Sequence, residues 1–211
     1  KEITGGLAKQ PESKGFRAMP FMELPDFIAG ELSKAESPAR LALLFTILTA
    51  ARSGEVRRST WAEINFGDAL WNRPAEHMKS GRAHTVTLSD AALTVLKRAK
   101  ALYGEEGLIF PNARRKPLSD AALGKMLRDG GREETVHGFR STFRDWAAEK
   151  MPSIPFTVAE LALAHAVGNA TERAYLRSDL RDMRSSLMSS WGAFAAPSLS
   201  RKQANVVSIH A

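Results

Sequence analysis

Apolar residues along this chain fall mostly at helical spacing, with one interval of alternating period between residues 61 and 88. The segment ELPDFIAGEL, residues 23–32, predicts a short helix capped by Asp26. In SPARLALLFTILTAAR, residues 37–52, Leu41, Leu44, Phe45 and Leu48 share one face, and Leu43 and Ile47 fill the next. That helix is expected to be buried nearly all round and to break at Gly54. EINFGDALWNRP, residues 63–74, then reads as a strand, a Gly67-Asp68 turn and a second strand, and AHTVTLS, residues 83–89, as a third. SDAALTVLKRAKALYG, residues 89–104, is a helix with a Ser/Asp start and a glycine stop. PLSDAALGKMLRDGG repeats that pattern, so LSDAAL at 88–93 and at 118–123 predicts two similarly capped helices. HGFRSTFRDWAAEK, residues 137–150, carries an apolar stripe of Phe139, Phe143, Trp146 and Ala147, and Pro152 and Pro155 follow it. FTVAELALAHAV runs to Gly168, the spacing of Asn169 and Glu172 starts a new helix near Ala170, and RDMRSSLMSSWGAFA is the last. The sum is about eight helices and one small three-stranded antiparallel sheet, an α+β domain. Residues 1–20 read as a linker remnant, 21–195 as the domain, and 196–211 as a tail. The apolar end of that tail, NVVSIH, is expected to add a strand to the edge of the small sheet, of its own molecule or of a neighbour, with a loosely packed tail as the alternative.

Composition narrows the class. Apolar residues make up 44% of the 211 positions and charged residues 25%, as in a globular domain with a real core. The longest apolar run, Leu41 to Ala51, is too short to cross a bilayer and contains Thr46 and Thr49. The opening KEITGGLAKQPESKG lacks the apolar stretch of a signal peptide, and Lys1 in place of Met reads as a piece of a longer protein. The absence of cysteine excludes disulfides, thiol nucleophiles and thiolate metal sites. The net charge of +7 is localised: residues 73–100 and 112–132 each carry six Lys/Arg against two Asp/Glu. Such stretches fit a polyanionic partner or, equally, a solvated basic surface.

Tyr175 stands in GNATERAYLRSDL among arginines that do not face it. Arg173, Arg177, Arg181 and Arg184 form their own row at i, i+4 and i, i+3 spacing, most simply a solvated face. Partners are therefore sought elsewhere. Arg52 follows the most apolar helix, where it needs an anion or an ion pair with Glu55. His137 and Arg140 share a helical face opposite the aromatic stripe, an arrangement that also suits a capping His beside a surface Arg. His165 closes an apolar run, the place of a core or capping histidine when it stands alone.

Together, R-x-x-E after an apolar helix, a basic hairpin, H-x-x-R, LxxAH and a tyrosine ten residues later resemble the catalytic domain of the tyrosine recombinase (phage integrase) family. The resemblance runs from about Phe21 to Phe194 and is similar in detail to integrases of satellite phages and genomic islands. It implies that Arg52 and Arg140 hold the scissile phosphate and that Lys79 is the hairpin lysine. It makes His137 and His165 the two histidines, Glu55 the acidic brace and Tyr175 the nucleophile. Two positions depart from the pattern: Ala164 replaces the usual glycine before the last histidine, and Leu176 follows the tyrosine. The implied reaction breaks and rejoins DNA through a 3′-phosphotyrosine, integrating or excising a prophage or genomic island, with no cofactor. The implied partners are double-stranded DNA attachment sites, a tetramer on DNA and DNA-bending accessory proteins, in the nucleoid of a bacterial cytoplasm. The chemistry is coherent. A phosphodiester repels nucleophiles, bidentate guanidiniums neutralise it, and a phenol of pKa near 10 needs a base or a strong positive field. A type IB topoisomerase-like enzyme is the alternative within that chemistry. A basic DNA-binding module without strand exchange is the alternative outside it.

Overall fold

The computed structural model of the chain describes residues 16–78, 80–167 and 179–200. A 3₁₀ turn, Phe21–Glu23, runs straight into helix α1, Leu24–Leu32, so Asp26 lies inside the first turn and does not cap it. Helix α2, Pro38–Thr49, begins as its sequence directs: the Ser37 hydroxyl accepts from the Arg40 amide, and proline occupies the first turn. Every residue from Leu41 to Thr49 is buried, and α2 is the axis of the core.

This helix stops earlier than its pattern predicts. Ala50 takes a left-handed conformation, φ 49°, and turns the chain into a short helix α3, Ser53–Arg57. Gly54 lies within α3 and breaks nothing.

Three strands follow in the order β1-β2-β3, all antiparallel: β1 Ile64–Asn65, β2 Leu70–Arg73 and β3 His84–Thr87. Asn65 pairs with Leu70, so the hairpin loop has four residues and not a two-residue Gly-Asp turn. The Asn65 side chain holds that loop by accepting from the Asp68 amide at 3.0 Å, and Ala69 closes it at φ 54°.

The two LSDAAL segments fold differently. In the first, Ser89 caps helix α4, Asp90–Tyr103, by accepting from the Ala92 amide. In the second, helix α5, Ala122–Asp129, starts without a side-chain cap. There the Ala122 amide bonds to the Ser119 carbonyl instead of to its hydroxyl, while the buried Arg57 pairs with Asp120 and donates to the Leu118 carbonyl at 2.7 Å.

Helix α6, Gly138–Lys150, buries Phe139, Phe143 and Trp146 as the stripe predicts. Helix α7 is Phe156–Ala162, α8 is Arg181–Ala195, and α9 is Pro197–Ser200. Trp191 of α8 meets Phe143 and Trp146 of α6 and donates its indole N–H to the Ile47 carbonyl of α2 at 2.9 Å, tying three helices together. The architecture is α+β with one small three-stranded antiparallel sheet, as read from the pattern. Packing runs past both expected boundaries, into the segment read as a linker and the segment read as a tail. Met19 is 1% exposed and its carbonyl accepts from Thr142, while buried Leu199 lies against α4 through a Thr94 hydrogen bond.

Candidate active site

The site is built where chain turns meet. Arg52 stands between α2 and α3. Its guanidinium donates to Glu55 at 3.1 Å, and its backbone N–H lies 3.4 Å from the same carboxylate. Arg140, in the first turn of α6, is 5% exposed. Its Nη1 donates to the Ala50 carbonyl at 2.5 Å and its Nη2 to the Leu163 carbonyl at 2.7 Å. The left-handed turn at Ala50 is what aims that carbonyl at Arg140. Burial, and then the neighbouring Arg52, bring the Arg140 pKa down to about 10, with Glu55 and Glu160 opposing; it is still charged at neutral pH. Its Nε is buried and has no hydrogen-bond partner among the described residues. Two guanidiniums close enough to act on one another, with His137 and His165 beside them, make a site for an anion.

His165 is delivered by the end of α7. The His165 amide donates to the Glu160 carbonyl and the Ala164 amide to that of Leu161, which is a Schellman closure with Ala164 at the left-handed position, φ 52°. His165 Nε2 lies 2.8 Å from Arg140 Nη2, and Nδ1 lies 2.7 Å from Glu160 Oε2. A guanidinium only donates, so Nε2 is the acceptor, and Nδ1–H donates to Glu160. Glu160 also pairs with Arg144. The closure explains why glycine suits position 164: alanine there carries about 1–2 kcal/mol of backbone strain. Ala164→Gly is expected to stabilise the chain by about 1 kcal/mol after the entropy of glycine is set against that relief. Thermal unfolding reads this directly, and a lower melting temperature would contradict it.

His137 precedes α6 at its N-cap position but makes no side-chain cap bond, and it is exposed. The Phe16 ring covers part of it, with centroids 4.3 Å apart. Partial burial first, then Arg140, Arg52 and His165, lower its pKa below the ordinary histidine value, so it is a neutral base at pH 7. The glycine of HGFR is required by packing, since a Cβ on Gly138 would stand 2.0 Å from the Arg17 carbonyl oxygen.

The hairpin completes the surroundings. Buried Glu63 accepts from Trp71 Nε1 at 2.8 Å, Arg73 Nη1 at 2.7 Å and His77 Nδ1 at 2.7 Å, and so fixes the start of the β2–β3 connection. At the start of β3, His84 shares with His165 a cleft of about 350 Å³, with Ser80, Arg82 and Ala164 also lining it. Burial, and then the charge of Arg184, push the His84 pKa down to about 4, with Arg52 and Arg140 adding to the fall and a backbone hydrogen bond at Ala162 opposing it. A histidine neutral in the fold and protonated when unfolded costs stability as pH falls from about 6.5 toward 4. At pH 5 the cost is about 2 kcal/mol relative to pH 7. His84→Gln should remove that part of the acid sensitivity, and an unchanged drop in melting temperature between pH 7 and pH 5 would refute it.

The structure thus gathers Arg52, Glu55, His137, Arg140 and His165 around one spot. Lys79 and Tyr175 lie outside the described residues, as do Arg173, Arg177, the helix expected near Ala170 and the NVVSIH strand. Of the arginine row, Arg181 is exposed as a solvated face requires, but Arg184 is not. Leu180 is left-handed, α8 starts only at Arg181, and Arg184 is 2% exposed. Three residues of the neighbourhood escaped sequence reasoning. Glu160 sits five residues before His165, a spacing that only a helix-end closure brings together. His84 and Arg184 have no local signal, because both act across the tertiary fold.

A model of the phage integrase family matches residues 20–181. The prophage integrase IntA of Escherichia coli (strain K12) is 31% identical over 192 residues, covering 89% of this chain and 46% of that protein. The integrase of Enterobacteria phage P4 is 27% identical over 209 residues, covering 90% and 47%. The chain therefore spans about half the length of these curated relatives. Among solved structures, a lambda integrase tetramer bound to a Holliday junction superposes with a TM-score of 0.56 at 18% identity, covering 80% of this chain and 50% of that one.

Proposed function

Because this chain belongs to the phage integrase family, we propose that it is the catalytic part of a site-specific recombinase that breaks and rejoins DNA through a tyrosyl ester. The observation that carries the reading is Arg140: a buried guanidinium set by two carbonyls and His165 beside Arg52. Arg52 and Arg140 clamp the scissile phosphate and stabilise the charge added in the transition state. Glu55 aims Arg52, and the Glu160–His165 pair aims Arg140. Tyr175 attacks phosphorus, His137 takes the phenolic proton, and Lys79 protonates the departing 5′-oxygen. The products are a 3′-phosphotyrosine and a free 5′-hydroxyl, and a 5′-hydroxyl from another strand reverses the step. The two guanidiniums supply the positive charge, so no step is assigned to a metal ion.

The substrates in this reading are attachment sites of a prophage or genomic island. The tetrameric assembly of lambda integrase on a junction is the model for four protomers acting together, with accessory DNA-bending proteins. None of the helices in the described residues is long and apolar enough to cross a membrane, and the proposed location is the nucleoid of a bacterial cell.

A nicked suicide substrate tests the reading, because loss of the short strand traps the ester. A covalent protein–DNA adduct should form equally with and without a chelator, whereas an absolute need for magnesium would overturn the mechanism. The role of Lys79 has its own test. Lys79→Ala should slow cleavage of normal DNA by about 10²–10⁴-fold, the usual contribution of a positioned acid. A 5′-bridging sulfur should restore the rate, because a thiolate of pKa near 8.5 leaves without a proton. If that substrate is no faster than normal DNA in this variant, Lys79 only contacts phosphate.

A further inference from the structure

Arg184 occupies a place that physics disfavours. It is 2% exposed, lies in the first turns of α8, and feels the repulsion of Arg181. Burial of the charge and the positive end of the helix dipole both oppose it. The cost is met by a specific set of bonds. Nε donates to the Asp179 carbonyl at 2.7 Å, Nη2 to the Asp179 carboxylate at 2.7 Å, and Nη1 to the Thr85 carbonyl of β3 at 2.5 Å. One guanidinium thus ties the backbone and side chain of Asp179 to the β3 edge of the sheet. Leu180, left-handed at φ 51°, makes the corner that lets α8 begin immediately afterwards.

Asp179 is the fourth residue after Tyr175, so this tie holds the described residue at the C-terminal end of the segment that carries the tyrosine. Thr85 adjoins His84, which lines the cleft beside His165. We propose that Arg184 is the positioning residue of the nucleophile: it clamps the far end of the tyrosine-bearing segment to β3 of the same chain, beside the phosphate site. The inference rests on the assignment of Tyr175 as nucleophile. Arg184 does not touch the reacting atoms, so its loss should impair presentation of the phenol and leave the phosphate clamp intact.

The test uses the full-length enzyme and two nucleophiles. Adduct formation by Tyr175 is timed on a suicide substrate at saturating DNA. In a Tyr175→Phe background, added hydrogen peroxide replaces the phenol: its oxygen bonds to phosphorus, and the 5′-oxygen departs with a proton as before. Arg184→Gln should slow tyrosine attack by about 10²-fold, the scale of a small misplacement of a reacting group. Half-saturating DNA concentration should stay nearly constant. Peroxide-driven cleavage in the Tyr175→Phe background should be equal with and without Arg184→Gln. Arg184→Lys, which keeps the charge and part of the bonding, should recover part of the tyrosine rate and serves if the glutamine variant melts below assay temperature. Equal losses in both reactions would make Arg184 a support of the phosphate site, and no loss in either would make the clamp idle. An adduct that persists in Tyr175→Phe alone would remove the nucleophile itself, and the proposal with it.

Discussion

Tyr175→Phe should abolish the covalent adduct while DNA binding stays close to wild type, because only the attacking oxygen is removed. The loss should be complete within detection, since no side chain nearby in sequence substitutes for a phenol. Tyr103 is the only other tyrosine, and its setting is unfavourable. It ends α4, where it borders a surface recess with Glu105, Glu106 and Arg115. Burial first, and then Glu36, raise its pKa above the ordinary value. A nucleophile needs the opposite, a phenolate favoured by positive charge. An adduct retained in Tyr175→Phe and lost in Tyr103→Phe would reassign the chemistry.

Arg140→Lys should cut the rate of adduct formation by about 10²–10³-fold, the cost of losing a preorganised transition-state donor. Charge is kept, but the fork is not. The guanidinium bonds Ala50 and Leu163 carbonyls and His165 together, with Nε left over. An ammonium has no planar pair of edges with which to hold two carbonyls and a phosphate. DNA affinity should change far less than rate, since phosphate contacts elsewhere supply most of the binding. Melting temperature must be measured alongside, because stranding two buried carbonyls costs about 1–3 kcal/mol each. Near wild-type cleavage would make Arg140 structural.

The sequence shows the fold wherever local and tertiary demands agree. The apolar run around Leu44 and Ile47, the Ser89 cap and the Phe139/Phe143/Trp146 stripe became elements much as their pattern indicates. It misleads where a tertiary demand wins. The apolar pattern runs on past Ala50, but Ala50 turns left-handed and its carbonyl meets Arg140. The same holds in the site. Arg52, Glu55, His137, Arg140 and His165 were legible because each stands at a recognisable helix end and in a family order. Glu160, His84 and Arg184 were not, because their partners come from turns and strands whose proximity no periodicity encodes. In the sequence Arg184 looks like part of a solvated row for that reason. It stands three residues after Arg181 in sequence, but the left-handed Leu180 shows that no single helix carries the whole row.

The most direct test of the account is the chemistry of the trapped ester. Wild-type enzyme is incubated with a suicide substrate in the presence of a chelator, the adduct is digested with protease, and the nucleotide-bearing peptide is sequenced by mass. The predicted result is a single linkage, from the 3′-phosphate of DNA to the oxygen of Tyr175, with a free 5′-hydroxyl on the other strand end. Attachment at the 5′-phosphate, linkage to another residue, or strand breaks with no protein attached would contradict it.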